Sequence, residues 1–85
     1  MFEVLYKKRA LKGLARMPAA LRERAREALA LLAANGDSQG LDVRPLQGRD
    51  GFRLRIGDWR LLYEVDRDRL IILVVEVGPR GDVYK

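Results

Sequence analysis

Residues 51–65 read GFRLRIGDWRLLYEV, two largely alternating runs of apolar and arginine residues separated by Gly57-Asp58. A Gly-Asp pair between two such runs signals a two-residue β-hairpin turn, and no other assignment constrains this chain as tightly. It places Ile56 opposite Trp59, Arg55 opposite Arg60 and Leu54 opposite Leu61. Alternation then sends Phe52, Leu54, Ile56, Trp59, Leu61 and Tyr63 to one face and Arg53, Arg55 and Arg60 to the other. Two arginines thus oppose each other directly, which destabilises a sheet by roughly 0.2–1 kcal/mol unless an anion lies between them.

The remaining pattern supplies what this hairpin packs against. MFEVLYK suits a strand at or beside a sheet edge, because its faces are mixed. Lys8 to Met17 carries Leu11, Leu14 and Ala15 at helical spacing and stops at Pro18. Pro18 also opens a second helix, in which Leu21, Ala25, Ala28, Leu29 and Leu32 form one apolar stripe and Asn35-Gly36 supplies a left-handed cap. Gly, Asp, Ser and Gln crowd the segment from Asp37 to Gly51, which is expected to be irregular and pinned to the core by Val43 and Leu46. Strands are expected at Phe52–Ile56, Trp59–Val65 and Leu70–Val77; the last is apolar on both faces, as a central strand is, and Gly78-Pro79 should break it. The predicted class is α+β: a strand, a two-helix hairpin, then a three-stranded meander, giving a mainly antiparallel sheet with both helices on one face. The other face becomes an open floor carrying arginines.

Eighty-five residues suffice for a single domain, 1–85. The chain has neither cysteine nor histidine, which removes disulfides, thiolate chemistry, the commonest metal ligand and the usual general base near neutral pH. Reactive groups must come from Arg, Lys, Tyr, Asp or Glu. Leu70 to Val75 is too short to cross a bilayer and MFEVLYKK lacks the order of a signal peptide, so the expected location is the cytosol. A net charge of +5 favours polyanionic partners.

The arginines admit two readings. Alternating strands place charge outward by default, so they fit an ordinary solvated face. An ordinary face mixes signs, however, and the planar guanidinium fork suits phosphate oxygens, so they also fit a floor for an anion. The helical segment is basic too, with Lys7, Lys8, Arg9, Lys12, Arg16, Arg22, Arg24 and Arg26 against Glu23 and Glu27; this is either a solvated surface or long-range attraction to a nucleic acid. Tyr63 belongs to the core by parity, and Trp59 is expected there too, with a base-stacking platform as its alternative role. Tyr84 lies in a polar tail after the Gly-Pro break, where packing and function both remain open.

FEVLY with its basic helix start, PLQG, FRLRIGDWRLLYEV and the ending VEVGPRGDVYK together span nearly the whole chain. On these segments the sequence resembles the RelE/ParE superfamily of toxins from type II toxin–antitoxin pairs. The resemblance favours the RelE-like branch, which implies a metal-independent endoribonuclease that cuts mRNA in the ribosomal A site. It places the active face on Arg53, Arg55, Arg60, Arg80 and Tyr84; from the basic helical segment Lys7 and Lys8, together with Arg53, are the candidates for contacting the RNA. The best-understood ribosome-dependent members have lysines where Arg53 and Arg55 stand, and other branches have a histidine at the position of Pro79. Arginine stays protonated, so it cannot take a proton from a 2′-hydroxyl as a neutral lysine can, and the general base is unassigned.

On this reading Arg55 and Arg60 hold the phosphate, Arg53 orients the backbone, Arg80 stabilises or protonates the leaving oxygen, and Tyr84 stacks on a base or carries a proton. No cofactor or metal is expected. The implied partners are mRNA, the ribosome and an acidic RelB-like antitoxin, with operator DNA reached only through that antitoxin. The superfamily also contains ParE-type inhibitors of DNA gyrase, so a toxin that does not cut RNA is the alternative, as is a module that only binds antitoxin or RNA.

Overall fold

A computed structural model of the protein describes residues 1–36, 38 and 40–79. The elements run β1 (Glu3–Tyr6), α1 (Lys8–Arg16), α2 (Ala19–Asn35), β2 (Val43–Pro45), β3 (Phe52–Ile56), β4 (Trp59–Asp66) and β5 (Ile71–Pro79). The strands form one five-stranded sheet in the order β1-β5-β4-β3-β2. β1 runs parallel to β5 and the other pairs are antiparallel. The α+β class and the mainly antiparallel sheet agree with the sequence; the parallel edge pair is the addition.

The hairpin register is the one the turn dictates: Ile56 pairs with Trp59, Arg55 with Arg60 and Leu54 with Leu61. Gly57 takes φ 60, while Asp58 has no positive φ, the pattern of a turn with glycine at its first central position. Leu54, Ile56, Leu61, Tyr63, Ile72, Val74 and Val77 meet Ala10, Met17, Ala25, Ala28, Leu29, Leu32 and Ala33 in one core, and Phe52, Trp59 and Leu21 pack against it. The expected α2 stripe is therefore the buried one. Gly36 ends α2 at φ 64, its N–H donating to the Leu32 carbonyl.

Three expectations need correction. In α1 the buried residues are Ala10 and Gly13, while Leu11 is 53% exposed. α1 lies so close to β5 that a Cβ on Gly13 would collide with the Val77 carbonyl, so small residues meet the strand while Leu14 packs half-buried at the margin of the core. The segment 37–51 contains β2, which pairs with β3 through Val43–Leu54, Arg44–Arg53 and Pro45–Phe52. β5 starts at Ile71, after Leu70 has turned the chain at φ 56, and runs through Gly78-Pro79 instead of breaking there. Proline is tolerated because it is the strand's last residue, beyond the point where β1 stops pairing.

β5 also carries a bulge. Tyr63 pairs with Val74 and Leu62 with Glu76, which leaves Val75 as an extra residue. Ile72 and Val74 face the core before the bulge, and Val77 does so after it. Without that one-residue step Glu76 would follow Ile72 and Val74 inward. With it, Glu76 and Gly78 share the open face with Leu62 and Arg60.

Candidate nucleic-acid interface

β2, β3 and β4 arrange the open face as two rows. One row reads Arg44, Arg53, Leu62 and Glu76 across β2 to β5. The other reads Arg55, Arg60 and Gly78, and Asp42 extends it on the β2 side, where its carbonyl accepts the Arg55 N–H at 3.0 Å. Because that N–H points toward β2, Arg55 and Arg60 form a non-hydrogen-bonded pair, the cross-strand site at which Cα atoms approach to about 4.5 Å and side chains are closest. The Arg55–Arg60 juxtaposition expected from sequence is thus present, at the closer kind of cross-strand site.

Local contacts fix the guanidinium groups differently. Arg55 Nε donates to the Gly57 carbonyl at 3.1 Å, which holds its side chain at the hairpin tip. Arg53 is largely enclosed: its side chain is 15% exposed, one terminal nitrogen lies 3.4 Å from Asp42 Oδ1, and its Nε is buried without a hydrogen-bond partner. Leu62, its cross-strand neighbour, is 1% exposed although it stands outside the main core. Leu62 thus sets one buried apolar side chain beside Arg53, a setting in which charge is less screened than in open water.

A second basic surface adjoins it at β5. Lys8, Arg9, Lys12 and Arg16 line a groove along α1 bounded by Glu76 and Val77, and Arg9 pairs with Glu76 at 3.4 Å. Lys7 is the exposed residue that caps α1, one position outside that groove. Arg53, Arg55 and Arg60 are thus brought onto one face and Lys8 lies in the neighbouring groove. Arg80 and Tyr84 lie outside the described residues.

Parity also separates structural tyrosines from candidate reactive ones. Tyr63 stacks on Phe52, ring centroids 5.5 Å apart, on the core side, and burial pushes its hydroxyl up to about 12. Tyr6 is raised as well, first by burial and in opposition to the lowering effect of Arg26. Neither reaches the arginine rows. Among the described residues there is no cluster of three or more acidic groups suited to a metal. Sequence reasoning missed Arg44, Asp42 and Glu76. Only the β2 pairing and the β5 bulge bring them to this face, and a three-residue strand ending in proline carries almost no periodicity to reveal it.

Residues 4–84 match the family model described as "ParE toxin of type II toxin-antitoxin system, parDE". The RelE1 protein of Methanocaldococcus jannaschii is 33% identical over 99% of this chain and 96% of its own length. Among solved structures, RelE in the archaeal RelE–RelB complex of Pyrococcus horikoshii superposes with a TM-score of 0.81 at 29% identity, over 95% of this chain and 97% of that one. RelE in the intact Escherichia coli RelBE complex shares the fold, with a TM-score of 0.74 at 21% identity over 95% and 99% of the two chains. With both the arginine-bearing hairpin and the full-length match in hand, the chain belongs to the RelE/ParE superfamily of toxins from type II toxin–antitoxin systems.

Proposed function

We propose that this toxin is a metal-independent endoribonuclease that cleaves mRNA in the ribosomal A site. The observation that carries the reading is the gathering of Arg53, Arg55 and Arg60 on one face of the sheet, where their planar guanidinium forks suit the oxygens of a phosphodiester. Cleavage by the RNA's own 2′-oxygen requires loss of the 2′ proton, stabilisation of a dianionic phosphorane and protonation of the departing 5′-oxygen. Arg55 and Arg60 supply the second requirement, and Arg53 orients the backbone so that the 2′-oxygen lines up with the scissile bond. Arg80 serves the leaving oxygen and Tyr84 stacks on a base or moves a proton. Lys7 and Lys8, with the basic groove of α1, attract the ribosome's RNA at long range.

The neighbours solved as RelE–RelB complexes support an antitoxin partner for this chain. A groove of 270 Å³ lined by Tyr6, Leu11, Leu14 and Leu29 and flanked by Arg22 and Arg26 suits the apolar face of an acidic helix. The second reading, a ParE-type inhibitor of gyrase, draws on the description of the matching family and predicts intact mRNA with loss of supercoiling. Incubation with translating ribosomes and a defined mRNA separates them: wild type should cut, with Arg80→Ala and Tyr84→Ala impaired. Equal cutting by all three would remove both residues from the mechanism, and no cutting by wild type would reject the nuclease.

A further inference from the structure

The open face is a grid with two blocked corners. Across β2, β3 and β4 one row is Asp42, Arg55, Arg60 and the next is Arg44, Arg53, Leu62. Asp42 faces the same side as Arg53, because its carboxylate reaches that guanidinium. A phosphate is repelled at the acidic corner and gains nothing at the apolar one. The cationic positions that remain run diagonally from Arg44 through Arg53 and Arg55 to Arg60. Their outer Cα positions are separated by roughly 12 Å, the sum in quadrature of two strand spacings and one two-residue step.

Arg44 and Arg53 are themselves a cross-strand pair of like charges, the second on this face. Their row is displaced from the Arg55–Arg60 row by two residues along β3, roughly 6.6–6.8 Å, the order of one nucleotide step in an extended strand. Arg53 brings to this row a buried Nε that lacks an acceptor and a long contact to Asp42 that a phosphate oxygen can replace.

From this arrangement we infer that Arg44 and Arg53 form a second phosphate subsite, one nucleotide from the Arg55–Arg60 subsite, so that the RNA backbone crosses the hairpin on the Arg44–Arg60 diagonal. Asp42 is a positioning residue: it holds Arg53 over the face in the free protein and is displaced by the incoming phosphate. This rests on the reading that the face grips RNA, and it adds a residue, a path and a two-phosphate footprint to that reading.

The salt dependence of binding tests it, because each phosphate contact to a single strand contributes about 0.7 to the slope of log K against log salt. The probe is a short oligouridylate with methylated 2′-oxygens, which binds without being cut. Arg44→Ala should lower the slope by about 0.7, as should Arg60→Ala, while Arg44→Lys restores it, since an ammonium still contacts phosphate. Arg69→Ala, at the exposed β4–β5 turn where the arginine pairs with Asp66, should leave the slope unchanged. Asp42→Asn should tighten binding severalfold. Circular-dichroism melts confirm that each variant is folded. If Arg60→Ala lowers the slope and Arg44→Ala behaves like Arg69→Ala, the second subsite is overturned and the first survives. If Arg60→Ala also leaves the slope unchanged, the RNA-gripping face itself is rejected and this inference falls with it.

Discussion

At the scale of single residues, the side of the sheet on which each charge sits decides what it can act on. Arg55 and Arg60 occupy the closest kind of cross-strand site, so truncating either should remove stabilisation of a dianionic phosphorane with little effect on folding. Arg60→Ala is expected to lower single-turnover cleavage by on the order of 10²-fold, measured on translating ribosomes with the melting temperature as the control for fold. Tyr63 makes the opposite kind of prediction. Burial raises its folded-state value to about 12 from an ordinary value of 10.0, so the unfolded chain loses that proton first as pH rises. Its contribution to stability is therefore complete below about pH 10 and is lost between there and about pH 12. Tyr63→Phe should flatten the decline of melting temperature over that window, and an unchanged decline would contradict a buried hydroxyl at this position.

At the scale of elements, α1 and β5 show most clearly what a sequence hides. Gly13 lets the helix backbone approach Val77, and a side chain there meets backbone that cannot yield cheaply. Gly13→Ala, which would stabilise an isolated helix, should instead lower stability by about 1–3 kcal/mol through overpacking, measured by denaturant unfolding. The hairpin was legible because alternation and Gly57-Asp58 specify the same register, and α2 because its stripe and Gly36 cap agree. The buried face of α1 was not legible: Leu11, Leu14 and Ala15 have helical spacing, but close backbone packing selects Ala10 and Gly13. Nor was the phase of β5, because the extra Val75 is invisible in a run of aliphatic residues. The candidate site divides the same way: Arg53, Arg55 and Arg60 follow from parity, whereas Arg44 depends on a three-residue strand that only tertiary pairing defines.

At the scale of the whole molecule, the sheet separates two tasks. Helices bury one face into a core and leave an apolar groove between them, while the opposite face and the α1 groove concentrate positive charge. Leu11→Asp, on the groove side, should weaken neutralisation by the cognate antitoxin without reducing RNA cleavage by the free toxin, checked by titrating antitoxin into the ribosome assay. On the proposed function, the cross-strand arginines of the hairpin act together on one phosphodiester. The most direct test of this maps mRNA cut sites by primer extension on translating ribosomes, comparing wild type with the folded Arg55→Ala/Arg60→Ala double variant. Wild type should give discrete A-site cuts that vanish in the double variant; cuts of equal extent and position from both proteins would remove the arginine pair from the chemistry.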